Sequence, residues 1–243
     1  ELFYSGTIEA TQAKLSFQVP GRVNVVNFRE GEIVKKDEII AELDRAELEA
    51  RYAQASALVK SASDTLVNAR KNYERFEELF KKGVVSEKER DNLKLNYEIA
   101  QAKLAEAQSL LKQASVYLDY TRMKSPMDGI ITSRNIEPGE TVSAGREVIT
   151  VSNLSTVELK IFVEETQIGK IRPNQQVDVT VDTFPGKFYQ GRVSFISPDG
   201  EFTPKVIQTK KERVKLVYLV KVTIENPNFE LKTGMPADAL LKP

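Results

Sequence analysis

Between residues 45 and 118 the apolar positions recur at alternating intervals of four and three, in two successive runs. The first run is Leu48, Tyr52, Ala55, Val59, Ala62, Leu66, Ala69, Tyr73, Phe76 and Phe80. The second is Leu93, Tyr97, Ala100, Leu104, Ala107, Leu111, Ala114 and Leu118. A mean spacing of about 3.5 residues keeps one narrow stripe of a helix turned toward one partner, so the pattern predicts two antiparallel helices closed by a coiled-coil seam. Alanine dominates one seam position in each run and Leu or an aromatic the other, which predicts large side chains seated over alanines across the pair. The ends are marked as well. Asp44 with Glu47 reads as a capping box that opens the first helix, and Ser86 with Glu89 as a second one that opens the return helix. Lys81-Lys82-Gly83 supplies cations for the last carbonyls and a glycine for a left-handed stop. Only Val84 and Val85 lie between stop and start. At ~1.5 Å per residue the first arm is a rod roughly 55 Å long.

The flanks change period. Leu15-Ser16-Phe17-Gln18-Val19 alternates apolar and polar residues, and Pro20-Gly21, Glu30-Gly31, Ser125-Pro126, Asp128-Gly129 and Pro138-Gly139 are turn signals. The two flanks are also copies at an offset of 108 positions: Gly21 with Gly129, Val23 with Ile131, Gly31 with Gly139, Val34 with Val142, and Leu43 with Val151. A duplicated set of short strands predicts one small sandwich built from two halves, with the helical hairpin inserted between them. Further on, Val157, Leu159, Ile161 and Val163 alternate with polar residues, as do Val177, Val179 and Val181. Val193 with Phe195, and Leu216, Tyr218, Val220, Val222 and Ile224, continue the pattern, which predicts a small antiparallel barrel. Asn226-Pro227-Asn228 and Lys232-Thr233-Gly234 predict a final hairpin before Met235-Pro236. The expected fold is mixed α and β, elongated and multidomain. The hairpin occupies 45–121, the sandwich 13–44 and 122–153, and the barrel 1–12 and 154–243.

Composition then removes function classes. Lys plus Arg and Asp plus Glu each number 35 in 243 residues, so the net charge is zero, where a nucleic-acid binder normally carries a basic excess. With no His and no Cys, the usual zinc and copper ligands and the commonest general base are missing. No phosphate loop or nucleophile elbow is present, so no catalytic residue, cofactor or metal site is assigned. Glu74, Glu77, Glu78, Glu87 and Glu89 sit where a solvated helix face carries charge, and Met123 and Met127 where packing needs bulk. No apolar run reaches the ~20 residues needed to span a bilayer. The start at Glu1-Leu2-Phe3, without Met, raises the expectation that an N-terminal address or anchor has been removed.

The duplicated half-motif resembles the biotinyl/lipoyl carrier domain, whose modified lysine sits in an Asp-Lys-Ala turn. Here that turn reads Asp44-Arg45-Ala46, and an arginine cannot carry either group through an amide. A carrier subunit of an enzyme complex is therefore disfavoured, while the scaffold is retained. A split lipoyl domain holding a helical hairpin and followed by a barrel resembles the membrane fusion proteins, the HlyD-like periplasmic adaptors. The resemblance rests on Tyr120-Thr121-Arg122-Met123-Lys124-Ser125-Pro126 with Asp128-Gly129, on Gly139, Val142 and Gly145, and on Gly234-Met235-Pro236-Ala237. It implies a non-enzymatic adaptor in the periplasm, attached to the inner membrane and assembled as a homo-oligomer, a hexamer. Its partners would be an inner-membrane transporter and an outer-membrane channel of the TolC type.

The family's channel-docking Arg, Leu and Ser match Arg75, Leu79 and Ser86 here, with Gly83, Val84 and Val85 completing the tip. Ser86 also reads as a plain helix cap and Arg75 as a surface charge. Leu79 falls beside the seam, and Arg90 stands where an apolar staple partner for Val85 is expected. The stretch Glu201-Phe202-Thr203-Pro204, Gln208-Thr209, Arg213 and Val217-Tyr218 is similar to adaptors of ABC-type exporters. A proton-driven pump of the resistance–nodulation–division type stays open as the alternative, and so does a plain oligomerisation module with an inert tip.

Overall fold

A computed structural model describes residues 2–202 and 216–241. The first half of the sandwich comprises β1 (Leu2–Ser16), β2 (Gly21–Val26), β3 (Ile33–Val34) and β4 (Ile39–Leu43). Two long helices follow, α1 (Ala46–Lys81) and α2 (Glu87–Asp119). The chain then returns to β5 (Arg122–Lys124), β6 (Gly129–Arg134), β7 (Thr141–Val142) and β8 (Glu147–Glu164). The last unit holds a short helix α3 (Glu165–Ile168), then β9 (Gln176–Thr180), β10 (Tyr189–Phe202), β11 (Leu216–Glu225) and β12 (Pro236–Leu241).

The two sandwich halves interlock. Strand β3 of the first half pairs with β6 of the second, and β2 of the first pairs with β7 of the second. The backbone repeats the sequence offset faithfully. Gly31 N–H donates to Ile131 C=O, and Gly139 N–H donates to Val23 C=O, each at 2.8 Å. The next pair, Ile131 N–H to Glu32 C=O and Val23 N–H to Glu140 C=O, obeys the same symmetry. Both glycines have φ near +90° (88° and 94°), a backbone that other residues adopt only with strain, which explains why the duplicated motif carries Gly at that place. The core between the halves contains Phe17, Val23, Val34, Ile40, Leu43, Ile131, Ile149 and Val151. At ~1.5–3 kcal/mol for each large apolar side chain withdrawn from water, this core stabilises the base of the rod.

A second core lies in a closed six-stranded barrel, β1-β12-β9-β10-β11-β8, with β8 also pairing back to β1. Val157, Leu159, Ile161 and Val163 all point into it, as do Val177, Val179 and Val181. Phe195 departs from the predicted alternation. The extra residue Ser194 bulges between the pairs Val193–Val222 and Phe195–Lys221, which turns Phe195 outward to 44% exposure. In β11 it is Val217, not Tyr218, that is buried. The predicted final hairpin does not form. Strand β12 leaves β11 and inserts between β1 and β9, because the barrel closes only if its last strand reaches the first.

The helical hairpin stands apart from both cores. No residue of α1 is buried, and in α2 only Ala100 and Ala107 are. Every predicted seam position except Tyr52 is nonetheless withdrawn from solvent, while the surrounding positions are almost all exposed. The helices therefore bury one stripe against each other and little else. Large residues do not everywhere face alanine: Tyr73 and Tyr97 stack with ring centroids 5.8 Å apart and planes 9° apart. Flat rings laid face to face take up little thickness, so two bulky residues fit where one was expected.

Candidate functional site

The far end of the hairpin is built by two interlocking backbone devices. At the end of α1, Gly83 adopts φ +73°, its N–H donates to Phe80 C=O at 2.9 Å, and Val84 N–H donates to Leu79 C=O at 3.0 Å. That pair of hydrogen bonds is the Schellman stop, in which the residue past the glycine is tied to the helix three residues before its cap. At the start of α2, Ser86 N–H donates to Glu89 Oε2 at 2.9 Å and Glu89 N–H donates to Ser86 Oγ at 3.3 Å, a complete capping box. The hydrogen bonds that its carboxylate accepts from the Ser86 backbone N–H, and then from the Ser86 hydroxyl, hold Glu89 below the ordinary glutamate pKa.

Arg90 takes a role that spacing alone does not reveal. Its guanidinium carbon lies 4.5 Å from the centroid of the Phe80 ring, bridging the end of α1 to the first turn of α2. Asp91 at 2.7 Å and Glu87 at 3.2 Å hold the group in place. The hydrogen bond to Asp91 is the main influence raising the Arg90 pKa. An arginine where a staple partner for Val85 was expected thus closes the seam instead, over the last aromatic of the first run.

These constraints fix what the tip presents. Val84 is 67% exposed, Val85 and Leu79 are half-buried, and Arg75, Gly83 and Ser86 are exposed. Arg75 and Leu79 are four residues apart on α1 and share a face. Arg70 pairs with Glu74 at 2.7 Å, whereas Arg75 has no ion pair among the described residues. The Schellman stop also accounts for Leu79 locally, since a hydrophobic residue at its position commonly accompanies one at the position of Val84. The acidic residues of the rod behave as solvated pairs: Glu74 with Arg70, Glu77 with Lys81 at 3.7 Å, Glu87 with Arg90.

At the other end the predicted Asp44–Glu47 box does not form. Asp44 Oδ1 accepts the Ala46 N–H at 3.1 Å and Oδ2 accepts from Arg22 at 2.9 Å, while Glu47 turns away to pair with Arg51 at 2.6 Å. The Ala46 backbone N–H, followed by Arg22, lowers the Asp44 pKa. Arg22 in β2 thereby draws Asp44 toward the sandwich, which leaves Glu47 no partner at the cap. Arg45, in the place of the carrier lysine, precedes the first turn of α1 and leans on Glu49 at 3.6 Å. Met123 is buried in the sandwich core and Met127 packs against it. Among the described residues no cluster of three or more His, Cys, Asp or Glu could hold a metal ion, and no helix is long and apolar enough to cross a membrane.

One flank of the rod carries a groove of about 560 Å³ between the helices, with Leu48, Ala55, Leu58, Leu110, Ala114 and Tyr117 on its walls beside Arg51, Gln54 and Gln113. Leu58 and Leu110 remain more than two-fifths exposed there, at 48% and 43%. The opposite flank has Ser56, Ser63, Gln101, Gln108 and Ser115 at the equivalent heptad positions.

Comparison with known proteins agrees with this architecture. The model of the barrel-sandwich hybrid domain of RND membrane fusion proteins matches residues 11–153, and a YknX-like β-barrel domain model matches residues 157–238. A UPF0194 membrane protein of Citrobacter koseri is 28% identical, over 95% of this chain and 86% of that protein. The structure of the membrane fusion protein Spr0693 from Streptococcus pneumoniae superposes with a TM-score of 0.77 at 18% identity, covering 100% and 99% of the two chains. A MacA-MexA chimera containing the Pseudomonas aeruginosa MexA α-hairpin domain gives 0.71 at 25% identity, covering 99% of this chain and 81% of that one. With a split, interlocked sandwich, an inserted rod and the family's domain model matched across more than half of its length, the chain belongs to the membrane fusion proteins, the periplasmic adaptors of efflux systems.

Proposed function

We propose that the protein bridges an inner-membrane transporter to an outer-membrane channel of the TolC type, with the rod as the bridge and Arg75, Leu79, Gly83, Val84, Val85 and Ser86 as its docking end. The observation that carries this reading is the tip itself. Two backbone devices and a cation–π contact lock a turn whose most exposed large apolar side chain is Val84. A free end has no use for an ordered apolar point, whereas a docking end gains affinity from one ordered in advance. The protein acts in the periplasm, held at the inner membrane through an N-terminal segment preceding Glu1, and the barrel faces the transporter. The description of the Citrobacter relative as a membrane protein supports that attachment.

Self-association into a hexameric ring belongs to the same proposal. The Leu58–Leu110 groove on one flank and the Ser and Gln positions on the other are unlike surfaces, and unlike surfaces that meet head to tail form a ring when the rotation between copies closes. An ABC-type exporter is the favoured pump, from the resemblance around residues 201–218, of which residues 203–215 lie outside the described residues. A proton-driven RND pump is the second reading, favoured by the description of the matched domain model.

The chain has no cysteine, so Val84→Cys supplies a single attachment point for a photo-crosslinker. The expected adduct in cells is an outer-membrane channel protein. Adducts only with other adaptor copies would overturn the docking assignment and favour a plain oligomerisation module. Copurification with a transporter that hydrolyses ATP, rather than one driven by protons, decides between the two pumps.

A further inference from the structure

Strands β1 and β8 run through both cores, and the junction between sandwich and barrel lies on β8. Up to Ser152 its outer edge pairs with β6, and from Thr156 the same edge pairs with β11. Against β1, the pair Thr11–Asn153 is followed directly by Ala10–Val157, so Leu154, Ser155 and Thr156 have no counterpart on that side. Val151 lies in the sandwich core and Val157 in the barrel core. A three-residue bulge interrupts the ladder and bends the two-stranded ribbon at this point, and its freed carbonyls need partners.

Asn226, only 2% exposed, provides them. Its backbone N–H donates to Ser155 C=O at 2.8 Å, and its side-chain Nδ2 donates to Leu154 C=O at 2.8 Å. The same amide reaches into the barrel, where Nδ2 donates to Leu231 C=O at 2.8 Å and Oδ1 accepts the Leu231 N–H at 3.1 Å. Leu231 is wholly buried in the barrel core. One planar group thus joins the bulge to the barrel, with both donors and its acceptor in use. Aspartate offers no donor, and alanine offers neither donor nor acceptor. On the sandwich side, Asn153 Oδ1 accepts from Ser155 N–H at 3.0 Å and Ser155 Oγ at 2.6 Å, which stiffens the bulge itself.

We propose that Asn226 is a positioning residue: its side-chain amide sets the angle between barrel and sandwich, and through the sandwich the direction in which the rod points. Without it, both domains keep their cores, and the ribbon between them swings.

The test uses the full chain with spin labels on Glu140→Cys in the sandwich and Thr166→Cys in the barrel, both exposed sites in a protein without native cysteine. The unsubstituted background gives one narrow distance distribution. Asn226→Ala and Asn226→Asp each broaden it about twofold, while far-UV circular dichroism stays unchanged. A residue that served only barrel stability would lower the thermal midpoint and leave the width as it was, and that result overturns the proposal. Should both variants fail to fold, amide exchange in the native chain decides. The Leu231 N–H is expected to exchange about tenfold or more slowly than exposed turn amides such as Gly186. Equal rates would overturn the clamp.

Discussion

Replacing Val84 by Asp separates docking from folding more sharply than any other change at the tip. The side chain is 67% exposed, so about two-thirds of its transfer free energy is still available to a partner. From ~1.5–3 kcal/mol for a fully buried aliphatic side chain, that leaves about 1–2 kcal/mol for docking. A carboxylate in the same place loses this contribution and adds a desolvation cost at the contact that, for a charge, is no less than the ~1–3 kcal/mol of a neutral polar group. The sum, about 2–5 kcal/mol or more, corresponds to a loss of at least roughly 30- to 5,000-fold in affinity. Folding should change little, because the Val84 side chain is mostly exposed and adds only a slight apolar contact at Leu79, while the backbone N–H bond to Leu79 C=O is kept by any residue but proline. Exposed substitutions of this kind usually change stability by less than ~0.5 kcal/mol. The assay is surface-bound channel protein titrated with adaptor, run beside thermal unfolding of the same samples, with Val84→Ala as the milder control. Undiminished channel binding by a folded Val84→Asp protein would refute the reasoning, whatever its effect on export.

Three further changes probe the scaffold. Gly6→Ala places a Cβ 2.0 Å from the Lys160 carbonyl oxygen, a backbone atom that cannot swing aside, so thermal unfolding should show a loss of about 1–3 kcal/mol or more. Ser86→Ala removes the hydroxyl of the capping box at a cost of about 1 kcal/mol, visible as faster amide exchange in the first turn of α2. The same box makes the tip acid-sensitive. Because the Glu89 pKa is lowered in the folded state, its stabilisation is complete above the ordinary glutamate value of ~4.3 and is lost as pH falls through the lowered value. A carboxyl-carbon NMR titration should place Glu89 below that value, and Ser86→Ala should move it partly back. Arg45→Lys restores the carrier-type residue but not its exposed turn, since a helix begins there. Mass spectrometry should find no lipoyl or biotinyl adduct, and an adduct would revive the carrier reading.

The rod was legible because a 3.5-residue spacing repeated over ten and eight positions has few other physical explanations. The duplication was legible because the glycines at 31 and 139 are required by their backbone angles and so survive in both copies. What spacing could not show was exchange. That β3 pairs with β6, and β2 with β7, depends on how two halves lie in space, and a period of two is the same for either partner. Phe195 was misread for a related reason, since one bulged residue inverts every face beyond it. At the tip, Ser86 with Glu89 was plain from local rules, whereas Arg90 was not, because a cation over a ring is a contact between two helices. Asn226 was read only as a turn residue. Its burial depends on the bulge at Leu154, 72 positions away.

The point of insertion explains how such a rod can be carried at all. Strands β4 and β5 are antiparallel neighbours, with Ile39 opposite Lys124 and Glu42 opposite Arg122, and Leu43 N–H donates to Thr121 C=O at 2.9 Å. Two strands so placed need only a tight turn. The hairpin takes the place of that turn, and any antiparallel helix pair that returns to its origin satisfies the sandwich equally. Rod length is then free of the base but not of the seam. Seven residues added to each arm, at seam-matched positions, should leave thermal unfolding unchanged and carry the tip about 10 Å further out. Four residues added to one arm alone rotate its stripe by roughly 40° and shift every later layer, so the helices should fray and the protein lose stability. If the four-residue insertion were as stable as the heptad insertion, the seam would not be what holds the arms together. The ordered tip would then need another cause.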